Sequence, residues 1–126
     1  MSKERSIRVG AEGIIVQDGK ILLVKFDDEH GPHYNYPGGG HQEGETLRQT
    51  AIRELREETD ADVEVGRLLV TGESAPFKVE YVYGSTHYLK LFFECTLKPN
   101  STPRLPDEPD PHEIAVEWVP IEDLAK

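Results

Sequence analysis

Apolar positions recur along this chain with two different periods. Leu47, Ala51 and Leu55, with Ile52 beside them, stand at helical spacing, and Thr46 followed three residues later by Gln49 is a capping-box signature. A helix is therefore predicted over residues 46–58, with one apolar stripe facing a core. Elsewhere, runs rich in β-branched and aromatic residues predict strands. Two early ones, residues 8–16 and 20–26, are joined at Gln17-Asp18-Gly19, where Asp-Gly is a strong hairpin signal. They are expected to be antiparallel neighbours. Gly10 and Gly13 in the first of them mark bulges, a close backbone approach or plain tolerance. Residues 27–36 read as a loop, leading into a glycine turn at Pro37-Gly38-Gly39-Gly40. After the helix, residues 63–73, 87–97 and 114–119 read as strands, and residues 75–84 as either loop or strand. Residues 98–112 hold five prolines and several acids, a long loop that is disordered or functional. Pro120-Ile121-Glu122-Asp123-Leu124 begins a second helix. Strands before and after a central helix indicate a mixed α/β (α+β) domain.

Composition narrows the picture. A length of 126 residues with 37% hydrophobic content suits one domain spanning residues 1–126, built on one core. The opening MSKERSIRVG carries charges without an apolar run, and no stretch approaches the ~18 apolar residues that span a bilayer. A cytoplasmic protein with no membrane partner is expected. Cys95 is the single cysteine, so no internal disulfide forms, and its setting LFFECTL reads as a small core residue in a strand. The formal net charge of −10 and the pI near 4.9 argue against a nucleic-acid polymer as partner. A phosphate-bearing small molecule is compatible only if metal ions invert the local field.

The helix itself supplies a place for such ions. Glu54, Glu57 and Glu58 stand at i, i+3 and i+4, so their carboxylates share one face. Each like-charged i,i+4 pair costs a bare helix roughly 0.2–0.5 kcal/mol, and Arg53 and Arg56 offset only part of it. A solvated acidic face is the plain structural explanation. The sharper one is a hard divalent cation between the oxygens, with the preceding glycines letting backbone approach the same ligand.

The stretch from Gly39 resembles the Nudix box, G-x5-E-x7-R-E-U-x-E-E-x-G-U, where U is a bulky apolar residue. Gly39, Glu45, Arg53, Glu54, Leu55, Glu57 and Glu58 match it, while Asp60 and Ala61 stand where glycine and U are usual. With each fixed residue present at about one in twenty, such spacing arises by chance in roughly one chain per hundred thousand or fewer. Asp60 is a mild departure, because Asp tolerates the left-handed conformation that a glycine adopts just past a helix. Ala61 bears on local packing more than on chemistry.

The resemblance implies a Nudix-type α/β/α sandwich with a mixed sheet and a loop-helix-loop motif. It implies Mg²⁺ as cofactor, with Mn²⁺ as a substitute, held by Glu54, Glu57, Glu58 and the Gly39 carbonyl, one of the acids also acting on water. Glu45 and Arg53 would be the box's structural pair. Many members use a further late glutamate as base or ligand, and Glu113 sits where that group often lies, with Glu108 and Glu94 as rivals. The implied activity is hydrolysis of a nucleoside diphosphate linked to another moiety. Pro76, 15 residues past the box, is near a proline of ADP-ribose-cleaving members and tilts the expectation toward ADP-ribose or a nucleotide sugar. The alternatives are an oxidised nucleoside triphosphate pyrophosphohydrolase and a non-catalytic nucleotide sensor. A small nucleotide is thus the expected partner, and a homodimer is allowed. His30 and His33 lack the companions a zinc site needs. Tyr34, Tyr36, Phe77, Tyr81, Tyr83 and Tyr88 are candidate stacking platforms, and Arg8, Lys25, Lys78 and Lys90 candidate phosphate contacts.

Overall fold

The capping box predicted at Thr46 forms. The Thr46 hydroxyl accepts from the Gln49 amide, the Gln49 side chain accepts from the Thr46 amide, and helix α1 (Leu47–Thr59) follows. Losing such a cap costs about 1 kcal/mol. The helix ends on Asp60, which takes the left-handed conformation (φ 55°, ψ 28°) expected of the residue replacing the box glycine.

The computed structural model describes residues 7–74 and 87–125. Around α1 run strands β1 (Ile7–Ile14), β2 (Val16–Gln17), β3 (Lys20–Asp28), β4 (Gly31–Asn35), β5 (Gly38–Gly40), β6 (Val63–Ser74), β7 (His87–Leu97) and β8 (Glu113–Pro120), followed by a 3-10 turn (Ile121–Ala125). They form two sheets. The first is mixed, in the order β5-β1-β7-β6, with β1 parallel to β7 and the other pairs antiparallel. In the second, β2 and β4 pair with opposite ends of β3 while β8 runs along it from Lys20 to Phe26. Helix α1 lies on one face of the first sheet. There Leu55, Ala51, Ala11, Phe93, Cys95 and Val63 form a buried core that Leu22 joins from the second sheet. Gly13 is a close approach and not a bulge: a Cβ there would fall 2.7 Å from Cδ2 of the fully buried Leu55.

Four expectations need correction. Asp18 and Gly19 do make the left-handed turn, but the antiparallel pair they join is β2 with β3. β1 belongs to the other sheet, because the chain crosses between sheets at the buried Ile15, whose carbonyl accepts from the Leu22 amide. Residues 27–36 are mostly strand, since Gly31 (φ 89°) folds β4 back onto β3. The triple glycine is strand β5, laid antiparallel on β1. The second helix is only the 3-10 turn. Residues 75–84, with Pro76, Phe77, Lys78, Tyr81 and Tyr83, fall outside the described residues.

Candidate active site

Arg53 organises the mouth of the site from the middle of α1. Its guanidinium donates from Nε to Glu45 Oε2 (3.0 Å), from Nη2 to Glu45 Oε1 (2.7 Å) and the Gly40 carbonyl (2.9 Å), and from Nη1 to Glu54 Oε1 (2.8 Å). Glu45 also accepts from the Thr50 hydroxyl and the Gln42 amide. Arg53, followed by Thr50 and Gln42, holds the Glu45 carboxyl down to about 2. The loop before α1 is thereby clamped to the helix and to β5.

The three helix acids do not share one environment. Glu57 is half exposed and touches only Arg53 at 3.3 Å. Glu54 is half-buried against β5, so close that a Cβ at Gly39 would overlap its carboxylate. Glu58 is buried and accepts from the Gly38 amide at 2.8 Å. Burial pushes Glu58 up to about 9. The Gly38 amide pulls against it, and Asp110 and Glu54 push it further. Glu54 is also raised, by burial first and then by Glu57 and Asp110 against the pull of Arg53. Burial first, and then the neighbouring carboxylates, shift both acids toward the protonated form.

Asp110 was not among the candidates, and the loop of residues 98–112 that carries it is well anchored. The Arg104 amide donates to the Thr59 carbonyl (2.8 Å), its guanidinium bridges Asp60 and Asp107, and Ser101 accepts from the Asp62 amide. The loop thus delivers Asp110 to Glu58, and the Asp110 amide donates to Glu113 Oε1 (3.2 Å) at the start of β8. Glu113 is buried, its Oε2 has no hydrogen-bond partner, and burial pushes it up to about 7. The rivals stay outside: Glu94 points from β7 toward Arg67, and Glu108 is exposed. Pro109 and Pro111, which stiffen the chain on either side of Asp110, were the signal available.

Beside this acid set, at Gly38, Gly39, Gly40 and Glu58, opens a cavity of about 550 Å³ on the face of the first sheet away from α1. A model of the NUDIX domain matches residues 6–126. The chain belongs to the Nudix family. It is 28% identical over 90 residues to a putative ADP-ribose pyrophosphatase, YjhB, of Bacillus subtilis, covering 71% of this chain and 41% of that one. It superposes on a MutT Nudix hydrolase from Burkholderia pseudomallei with TM-score 0.75 at 26% identity, covering 94% and 86% of the two chains. A Nudix hydrolase from Nitrosomonas europaea gives TM-score 0.77 at 22% identity, covering 95% and 76%, a likeness of fold. The chain spans between 26% and 41% of the length of its curated relatives.

Within this Nudix domain, Arg8, Lys90, Tyr36 and Tyr88 line the cavity. Tyr34 and Lys25 do not: Tyr34 donates to Glu117 (2.6 Å) with Lys25 over its ring. Glu12 and Phe92, both unanticipated, line it as well. Among the described residues no helix is long and apolar enough to cross a membrane.

Nudix hydrolases use a divalent metal ion. Among the described residues no three His, Cys, Asp or Glu side chains converge as a finished metal cage. The donor set nevertheless suits a hard cation. Burial and crowding raise Glu54 and Glu58, an oxygen of Glu113 is orphaned, and glycine at 39 leaves Glu54 room beside the strand.

Proposed function

We propose that this chain catalyses Mg²⁺-dependent hydrolysis of a diphosphate linkage in a nucleoside diphosphate joined to another moiety, with ADP-ribose and nucleotide sugars as the preferred type. One observation carries the reading: carboxylates crowded past what their cations neutralise border a 550 Å³ cavity floored by bare glycine backbone. Such a site favours a cation together with its anionic ligand. The similarity to the B. subtilis putative ADP-ribose pyrophosphatase supports the substrate type.

Mg²⁺, or Mn²⁺ in its place, would be held by Glu54, Glu57, Glu58 and the Gly39 carbonyl, and would neutralise charge on the diphosphate and acidify water. Arg53 keeps Glu54 turned toward β5 and ties the loop to the helix. Glu113, raised to about 7 with Oε2 unpartnered, is suited to take a proton from the attacking water near neutral pH. The free Cys95 and the acidic surface suit a cytoplasmic setting, and the exposed Leu68 and Leu69 on β6, the outermost strand of the first sheet among the described residues, suit a homodimer contact.

Release of nucleoside monophosphate and of the phosphorylated second moiety from a panel of diphosphate-linked nucleotides, with and without Mg²⁺, tests the proposal. Glu57→Gln and Glu58→Gln should each lower turnover by orders of magnitude with unchanged circular dichroism. Near-normal rates in both would remove the metal assignment.

A further inference from the structure

The cavity contains a device that the hydrolytic chemistry does not use. Three rows of residues cross its floor from β5 to β6. The first is Gly38, Glu12, Phe92 and Val70; the second Gly40, Gly10, Lys90 and Gly72; and the third begins at Arg8 and continues through Tyr88 to Ser74. In the middle row Lys90 is the one side chain among glycines, so its amine rises from an open trough beside the Glu12 carboxylate. Gly10 is glycine of necessity, because a Cβ there would fall 2.8 Å from the Gly39 carbonyl oxygen. The Glu12 residue is 7% exposed, yet the cation nearest its oxygens, Lys90 Nζ, stands 3.8 Å away, beyond hydrogen-bond length. Both groups therefore keep unused capacity facing the cavity, an acceptor beside a donor. The Glu12 side chain, 10% exposed, opens onto the cavity, where a ligand that brings donors can reach it.

We propose that Glu12, with Lys90 beside it, reads the hydroxyls of a pentose attached to the diphosphate, and so determines specificity for ribose over deoxyribose. A hydroxyl donates and accepts at once, matching the acceptor and donor in the trough. Placement selects the sugar over the base. Glu12 pairs with Gly38, whose amide holds Glu58, so its backbone lies about one strand spacing, roughly 5 Å, from the glycine that bounds the acid set. A ring joined to the phosphate through a single methylene falls there, and the base lies farther along, toward Arg8 and Tyr88. The edge-to-face pair of Tyr36 and Phe92, with centroids 5.4 Å apart, presents an apolar wall to the ring's carbon face. A second phosphate in place of a hydroxyl is rejected by the Glu12 charge. This reading rests on the proposed diphosphate site for the position of the phosphates.

The test is calorimetric binding of ADP, its 2′,3′-dideoxy analogue and UDP, in Mg²⁺, to the wild-type chain and to Glu12→Gln. The wild type should bind ADP about tenfold or more tighter than the dideoxy analogue, the worth of a hydrogen bond to a charged group. Glu12→Gln should bind the two within about twofold, and exchange of adenine for uracil should affect both proteins alike. If Glu12→Gln does not fold by thermal denaturation, Lys90→Met should show the same loss of discrimination. Equal wild-type affinities, an undiminished ratio in the variant, or a base preference that vanishes with Glu12 would overturn the proposal. Ribose-selective binding without hydrolysis of any diphosphate would leave it standing and remove the enzyme reading. No binding by any of the three removes both.

Discussion

Glu45 and Glu12 each face one basic side chain, and their circumstances are opposite. Glu45 receives two N–H groups of Arg53, the Thr50 hydroxyl and the Gln42 amide, and is held down to about 2. Glu12 is buried with a single ammonium at 3.8 Å, and burial raises it despite Lys90. The first carboxylate takes four donors, three on Oε1 and one on Oε2, and holds structure together. The second has vacancies and a donor beside it, which is what a ligand needs. Counting cation–carboxylate pairs would rank the two alike; counting filled hydrogen-bond positions separates a brace from a recognition element.

The sharpest way to break this distinction is to remove the cations. Arg53→Ala leaves Glu54 and the Gly40 carbonyl without this donor and Glu45 with only Thr50 and Gln42, and should give the largest loss of stability in urea titrations at neutral pH. Arg53→Lys should recover less than half, because an ammonium cannot make the two-pronged contact. Lys90→Met should cost less than about 1 kcal/mol, since Lys90 is half exposed. Equal losses from Arg53→Ala and Lys90→Met would erase the difference.

Titration separates the two kinds of acid by sign. Glu45, depressed to about 2, stabilises the fold above its unfolded pKa of 4.5, and that contribution is lost as pH falls from there toward 2. Glu58 and Glu113, raised to about 9 and about 7, act the other way. Between 4.5 and those values the folded, metal-free chain holds protons that the unfolded chain has released, so stability falls as pH rises. Thermal melts in a chelator should show Tm declining by several degrees from about pH 5 to about pH 9, and Glu58→Gln should flatten most of that slope. Mg²⁺ should restore Tm chiefly at the alkaline end, where it no longer competes with protons. A slope unchanged by Glu58→Gln would show that the buried acid is not the group titrating.

How much of this was legible in the chain follows the range of the interactions. The capping box, the left-handed Asp60 and strand β7 depend on neighbours within a few residues, and they stand as expected. The partner of β1 does not. An Asp-Gly turn specifies local backbone, but Ile15 moves the chain to another sheet, a choice made by burial against Leu22. Glu12 lay in view as a lone acid alternating with Arg8 and Gly10 opposite Val9 and Ala11. Its meaning depends on Lys90, brought alongside by the parallel pairing of β1 with β7 across nearly 80 residues, which no local pattern records. Asp110 was hidden for a similar reason. Its loop reads as polar and irregular, and its order comes from Arg104 reaching back to the end of α1.

That tether gives the smallest stability effect and a separable functional one. Asp60→Gly restores the residue more usual in the box and relieves a left-handed conformation (φ 55°), a gain of up to about 1 kcal/mol. It also removes the 2.8 Å contact with Arg104, half exposed on both sides and therefore of small worth to stability. The two nearly cancel, and urea midpoints should move by less than about 0.5 kcal/mol. The loop, however, loses one of the contacts that set Asp110 against Glu58, so turnover and Mg²⁺ affinity should both fall several-fold. Arg104→Gln should reproduce that loss, because it cuts the same tether from the other end, and combining the two changes should add little. Unchanged Mg²⁺ affinity in Asp60→Gly would mean that the helix alone sets the acid site, and that Asp60 is a tolerated substitution with no part in placing the loop.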